Sequence, residues 1–350
     1  MKKRFLCTLL ALALLMGLSG CTSATTSSTE TSGEASTTAT ATNTTVEKKT
    51  ATGFYFDTVV TLTIYGGEDG LTDTLLAECE RYEKLLSKTV EGSDVYRINH
   101  AEGETVTVDP ETWQILKRAK EISDLTGHAF SVTIAPLTAM WDFTGGTMKM
   151  PTDEERIAAL PLVDDDKLEL GDDYTVTLPA GMEIDLGGIA KGYIADQLAA
   201  MVRGKVQSAL LNFGGNVYAV GEKSDGSAFR VGICDPTDTS TQRAIVQVKD
   251  RTVVTSGTYE RYFVKDGVTY HHILDPKTGS SAVTDLTSAT IVGTSSMDAD
   301  AFATACIVLG KEAALKLLED NGLDGVLIDT ENQVTATSGF TDHYPLSVVE

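Results

Sequence analysis

Cysteine is scarce in this chain. It occurs five times in 350 residues, at Cys7, Cys21, Cys79, Cys234 and Cys306, with no CxxC or other metal-ligand spacing. A thiolate metal site and a disulfide framework are therefore excluded as organising features. Cys79, Cys234 and Cys306 lie in apolar contexts and read as buried thiols. Positive charge is short as well: 28 Lys and Arg stand against 50 Asp and Glu, a net charge of −22. An acidic surface repels polyanions, which argues against a nucleic-acid partner. Any phosphate this protein binds must be neutralised locally, by a metal or by a few positioned cations. No internal repeat is present.

What is there begins with an address. Lys2, Lys3 and Arg4 precede an apolar run from Phe5 to Leu18 that is too short to span a membrane as a mature helix, and it ends in Leu-Ser-Gly-Cys. Residues 1–20 therefore read as a lipoprotein signal peptide, with Cys21 as the lipidated first residue of the mature chain. Loss of the three N-terminal cations takes the net charge to about −25. The protein is expected outside the cytoplasm, anchored to the bacterial membrane without spanning it. Residues 21–50, dominated by Ser and Thr, cannot bury enough apolar surface to offset their ordering entropy and read as a tether. Residues 51–350 read as the folded domain, long enough for one substantial core.

Along that domain, Thr58–Tyr65 alternates as a strand, and an apolar stripe predicts a helix from about Leu71 to Ser87. Asp109-Pro110 opens a helix that Gly127 closes. Residues 208–221 read strand, Gly-Gly turn, strand, and 261–275 read as a hairpin turning at Asp266-Gly267. Residues 287–293 predict a strand, 298–321 one helix, and 325–337 a last hairpin. Antiparallel pairs with segregated helices define an α+β fold.

Four segments carry candidate chemistry. In DLGGIAKG (185–192), Gly187 and Gly188 stand at the mouth of a helix, where glycine costs about 1 kcal/mol unless it is needed. Two readings stay open: backbone approach to an anion at the helix N-terminus, or close helix–strand packing with Asp185 as an N-cap. In DADAFATACIVLG (298–310), Asp300 and Thr304 are four apart and share a helix face. Carboxylate, hydroxyl and a backbone carbonyl are the hard oxygen ligands that suit Mg²⁺, whereas capping by Asp298 or Asp300 with Thr304 bonded into its own helix is the competing account. In YHHILDPKTG (270–279), one of two adjacent histidines can face a site as a general base, or can simply pin the turn. In NFGGN (212–216), glycines permit positive φ and asparagines can bond backbone or ligand.

Taken in order, these segments resemble the ApbE family, the exported FAD:protein FMN transferases. FDTVVTLTIYG (56–66), LLSKTVEGSDVYRIN (85–99), SDLTGHAFSVTIAPLTAMWDF (123–143) and TSGTYERYF (255–263) agree with it, and the resemblance spans residues 54–340. It implies a T-fold-like single catalytic domain of largely antiparallel sheets. It also implies an Mg²⁺-dependent transfer of FMN from FAD through a phosphoester to a Thr or Ser of a partner protein, releasing AMP. By the same resemblance, Asp300, Thr304 and the Gly188 backbone oxygen match the metal site, and His272 matches a candidate base. Phe56, Thr89, Ala129, Phe130, Ser131, Asp185, Lys191 and Ile273 match positions around FAD. The implied partners are exported flavin-acceptor domains of membrane electron-transfer complexes. Two departures stand out: the family often has Met where this chain has Phe56-Asp57, and commonly Phe-Asp where it has Phe130-Ser131. The same site with water as nucleophile would be an FAD pyrophosphatase, and a silent site would be a flavin-binding lipoprotein.

Overall fold

Alternating β-branched and apolar residues build one large sheet in the computed structural model, which describes residues 46–349. The signal peptide, Cys21 and most of the tether lie outside the described residues. The N-terminal elements are β1 (Lys48–Tyr55), β2 (Thr58–Tyr65), α1 (Leu71–Leu86), α2 (Asp94–Asn99), β3 (Val106–Thr107) and α3 (Pro110–Leu125). The middle of the chain adds α4 (Ala135–Thr138), α5 (Asp153–Ala159), β4 (Glu169–Gly171), β5 (Thr175–Thr177) and α6 (Ala190–Val202). Next come β6 (Ser208–Phe213), β7 (Asn216–Gly221), β8 (Phe229–Asp235), β9 (Asp238–Val248) and β10 (Arg251–Gly257). After them run β11 (Tyr262–Lys265), β12 (Val268–His271), β13 (Leu286–Gly293) and α7 (Ser296–Leu309). The chain ends with α8 (Lys311–Asp320), β14 (Asp324–Asp329), β15 (Val334–Ala336), α9 (Phe340–His343) and β16 (Leu346–Val348).

Eight strands pair in the order β1-β2-β6-β7-β10-β13-β14-β15, every neighbour antiparallel. Both faces of the central strands are buried. On β7, Tyr218 and Val220 face the helical layer that holds α1, α6 and α7, while Val217 and Ala219 face the three-stranded sheet β16-β9-β8. The period-2 alternation of the strand thus feeds two cores at once. The architecture is α+β, as the pattern of elements indicated. No helix among the described residues is long and apolar enough to cross a membrane.

Three expectations need correction. β1 pairs with β2 from Lys48↔Tyr65 onward, so the last residues assigned to the tether belong to the sheet. The single helix over 298–321 is two, α7 and α8, divided at Gly310, which takes φ 82°. Asp285 fixes that break by accepting the Lys311 N–H at 2.8 Å. Cys234 is exposed rather than buried, since it falls on the outward phase of β8; Cys79 and Cys306 are buried.

The site depends on how α6 meets α7. Gly192 lies inside α6, and a Cβ there would stand 2.1 Å from Ser296 O and 2.7 Å from Met297 Cα. Only glycine permits this approach. Asp196, one turn further along α6, accepts the N–H groups of Ser296 and Met297 at 2.8 and 2.9 Å and caps α7 from the neighbouring helix. Arg118 of α3 holds the same end through Asp298, with Nη2 2.8 Å from the carboxylate. Gly192→Ala should destabilise the fold by about 1–3 kcal/mol, the usual cost of overpacking a close contact. Urea denaturation of both proteins, with circular dichroism to verify folding, measures it.

Candidate functional site

The turn that leads into α6 is shaped by its own acidic residue. Asp185 is not the N-cap of α6, because the helix begins five residues later and Ile189 occupies the cap with no side-chain bond. Asp185 Oδ1 instead accepts the Gly187 N–H at 2.8 Å, and Oδ2 pairs with Lys88 Nζ at 2.6 Å. Lys191 reaches back to Gly187 O at 2.9 Å.

The consequential bond is at Gly192. Its N–H would close the first helical turn onto Gly188 O, yet it donates to Asp300 Oδ2 at 3.0 Å. The Gly188 carbonyl therefore accepts no backbone hydrogen bond among the described residues. Thr304 stands beside it: a Cβ on Gly188 would lie 3.5 Å from Thr304 Oγ1 and 3.2 Å from Phe130 Cε2. Thr304 Oγ1 donates to Asp300 O at 3.2 Å and lies 3.4 Å from Ser256 Oγ. Asp300 is buried, at 3% exposure, and holds one hydrogen bond on one oxygen. Asp300 and Thr304 share one face of α7, and Gly188, whose carbonyl is left without a backbone donor, adjoins Thr304. This is a donor set of hard oxygens that fits Mg²⁺, in space that the absent Gly188 side chain leaves open.

The two histidines divide their tasks. His271 is the pinned one: Nε2 meets Ala282 O at 2.9 Å, and its N–H donates to Ser281 Oγ at 2.9 Å. His272 gives its backbone N–H to Arg261 O at 3.0 Å, while its Nδ1 is buried without a partner. Burial, then the positive charges of Arg261 and Lys191 and the adjoining His271, push the His272 imidazole down to about 3. It is therefore neutral at physiological pH and able to accept a proton, with two cations nearby.

Several residues escaped the sequence reading. Glu260 lies at the β6–β7 turn, with Oε1 3.7 Å from where a Gly215 Cβ would stand. Glu260 is exposed as a residue, yet the protein atoms around its carboxyl push it up to about 7, Asp300 adding to the shift and Lys191 and Arg261 opposing it. Arg261 Nη2 donates to Asp57 O at 3.3 Å, tying the β1–β2 turn to the start of β11. Gly214 is pressed against that same turn, where a Cβ would fall 1.9 Å from Thr58 Oγ1. No periodicity or spacing flags these approaches, because they join segments far apart in the chain. At Ser131 the carboxylate missing from the sequence is supplied from elsewhere: Ser131 Oγ donates to Asp165 Oδ1 at 2.9 Å. A cleft of about 330 Å³ opens beside this pair, lined also by His128, Pro276 and Lys277.

Of the residues expected at the site, Gly188 adjoins Phe130 and Thr304, Thr304 bonds Asp300, Lys191 bonds Gly187 O next to Gly188, and Lys191 acts through its charge on His272. Ala129 and Ile273 are buried in the core beneath. Phe56 adopts φ 54° in the β1–β2 turn, held by Glu83 Oε1 at 2.9 Å from its N–H. Thr89 hydrogen-bonds only Ser87 among the described residues, although its neighbour Lys88 reaches Asp185.

Comparison with known proteins converges on one family. The ApbE family model matches residues 56–327. The chain is 36% identical to an FAD:protein FMN transferase of Treponema pallidum (strain Nichols), over 75% of this chain and 78% of that one. It is 35% identical to an FAD:protein FMN transferase of Klebsiella pneumoniae (strain 342), over 80% and 88%. Among solved structures, the ApbE protein of Thermotoga maritima superimposes with a TM-score of 0.79 at 31% identity, covering 84% of this chain and 98% of that one. The flavin transferase ApbE of Vibrio cholerae gives a TM-score of 0.77 at 28% identity, covering 85% and 99%.

The depressed His272 value has a direct readout. A histidine whose folded value is lowered binds no proton between about 3 and its ordinary 6.5, whereas the unfolded chain does. Its contribution to stability is therefore complete above that window and is lost as pH falls through it. Imidazole nitrogen NMR should show His272 still neutral at pH 5; a titration near 6.5 would contradict the buried, cation-flanked environment.

Proposed function

The chain belongs to the ApbE family, and on that premise we propose that it transfers FMN from FAD to a Thr or Ser hydroxyl of a partner protein. The observation that carries this reading is Gly188, a residue adjoining Thr304 whose carbonyl the Gly192–Asp300 bond leaves without its helical donor. Asp300, Thr304 and Gly188 would hold Mg²⁺, which when bound supplies charge neutralisation on the diphosphate of FAD. Lys191 and Arg261 add positive charge where an otherwise acidic chain most needs it.

In the reaction, the acceptor oxygen attacks the phosphorus on the riboflavin side. The new phosphoester P–O bond forms as the diphosphate P–O bond breaks, and AMP leaves. His272, with Nδ1 unpartnered, takes the hydroxyl proton once the incoming diphosphate offsets the Arg261 and Lys191 charges that lower its basicity. Export, and anchoring through lipid on Cys21, belong to the same proposal, with exported flavin-acceptor domains of membrane electron-transfer complexes as partners.

The test is mass spectrometry of a candidate acceptor incubated with the protein, FAD and Mg²⁺, where a gain of one FMN on a single Thr or Ser supports transfer. AMP release with no acceptor present would instead mark a pyrophosphatase. Asp300→Ala should show no Mg²⁺-dependent transfer, and retention of that dependence would refute the ligand role. His272→Ala should slow turnover by roughly 10²–10⁴-fold, the range for loss of a general base. A variant with normal turnover would remove His272 from the reaction.

A further inference from the structure

Two hairpin tips flank His272, and both carry apolar side chains that the described residues leave uncovered. They are joined at Arg261, whose Nη2 donates to Asp57 O at 3.3 Å in the β1–β2 turn and whose carbonyl accepts the His272 N–H at 3.0 Å. On the first tip Phe54 and Val59 are directly opposed across the strands, with exposures of 68% and 55%. They lie on the face of β1 and β2 away from α1, since the intervening Gly53 is the residue that meets Leu76 of that helix.

On the second tip one face is committed to the interior. Phe263 and Tyr270 stack at 5.4 Å between ring centroids, and Tyr270 lies 5.7 Å from Trp141. Strand alternation then turns Tyr262 and Val264 to the opposite face, where they are about half exposed. Tyr262 is register partner to His271, the residue before His272. Val283, which is 95% exposed, follows Ala282, the carbonyl partner of His271. Single exposed apolar residues are ordinary, but five on segments that Arg261 and His271 tie to His272 mark an interaction surface.

We propose that these two tips form the docking rim for the acceptor polypeptide, which rests on the flavin-transfer reading. The segment that bears the target hydroxyl lies extended across Arg261, its apolar side chains meeting Phe54 and Val59 on one side and Tyr262 and Val264 on the other. Protruding tips enclose no small molecule, whereas an extended chain sends alternate side chains to opposite sides. Charge agrees with this occupant. Arg261 forms no ion pair among the described residues and bonds only a carbonyl, so in a chain of net charge −22 it offers a positive point to the carbonyls or carboxylates of the segment.

The experiment uses the full chain with Phe54→Asp, Val264→Asp and, as a distant control, Val348→Asp on β16, an exposed valine outside the rim. The probe is an exported acceptor domain that gains one FMN from the wild-type protein. Each rim variant should raise the acceptor KM about tenfold, the effect of removing an apolar anchor from an interface. The FAD affinity and kcat should be unchanged, and the control should behave as wild type. Phe54→Leu should restore the wild-type KM. An unchanged acceptor KM in folded rim variants overturns the proposal, as does an equal rise in the control or a parallel loss of FAD affinity. Sedimentation that finds a wild-type dimer abolished by Phe54→Asp, with acceptor KM unaltered, assigns the rim to a second copy and overturns it too. Failure of the underlying reading looks different: the wild-type protein would bind or cleave FAD and label no acceptor.

Discussion

The hydrogen bond from the Gly192 N–H to Asp300 Oδ2 is the constraint around which the rest of this molecule is arranged. A carboxylate at 3% exposure is costly unless its oxygens are satisfied, and the bond answers half of that demand from the neighbouring helix. Drawing on a backbone donor inside α6 requires the two helices to touch, which no side chain at Gly192 would allow. It also removes that donor from the helical ladder, leaving the Gly188 carbonyl free to bind something else. One bond therefore sets a helix crossing, stabilises a buried acid and opens a ligand oxygen. Because Asp300 and Thr304 sit on a helix capped by Asp196 and gripped by Arg118, two of the three donors are held by a rigid element, while Gly188 stands in the turn before α6.

Electrostatics completes the arrangement. The chain repels anions at long range, so a substrate rich in phosphate depends on a few local charges. Under the proposed function Lys191 and Arg261 would meet that need, and the same two cations help to keep the His272 imidazole unprotonated. Burial is the larger cause of that neutral state, and the two cations reinforce it. Asp165 plays a comparable part at the other end of the site, placing a carboxylate next to Ser131.

Local rules accounted for much of the fold. Period-2 stretches became β2, β6, β7 and β13, and the left-handed pair Asp266-Gly267 turned the β11–β12 hairpin as its composition requires. Asp109 capped α3 by accepting the Glu111 N–H at 2.8 Å. The failures have equally definite causes. Gly310 sits in a continuous helical pattern, and only the packing of Asp285 against Lys311 turns it into a break. β9 begins with five exposed residues and shows alternation only in its second half, so its pattern does not stand out from a loop. β16 has three residues and acquires its identity from pairing with β9.

What the amino-acid sequence determined by itself was the family and the local motifs that mark it: a helix-face acid and hydroxyl, a diglycine turn, a histidine before Asp-Pro, and their order along the chain. Those are local facts of spacing and composition, legible because each rests on residues within one or two turns of one another. The tertiary structure alone decided which backbone carbonyl was released, which of two adjacent histidines was pinned, and how Glu260 and Arg261 came to border the site. Each of these follows from contacts between residues tens to hundreds of positions apart, where a hydrogen bond or a missing Cβ acts only once the helices and hairpins have packed.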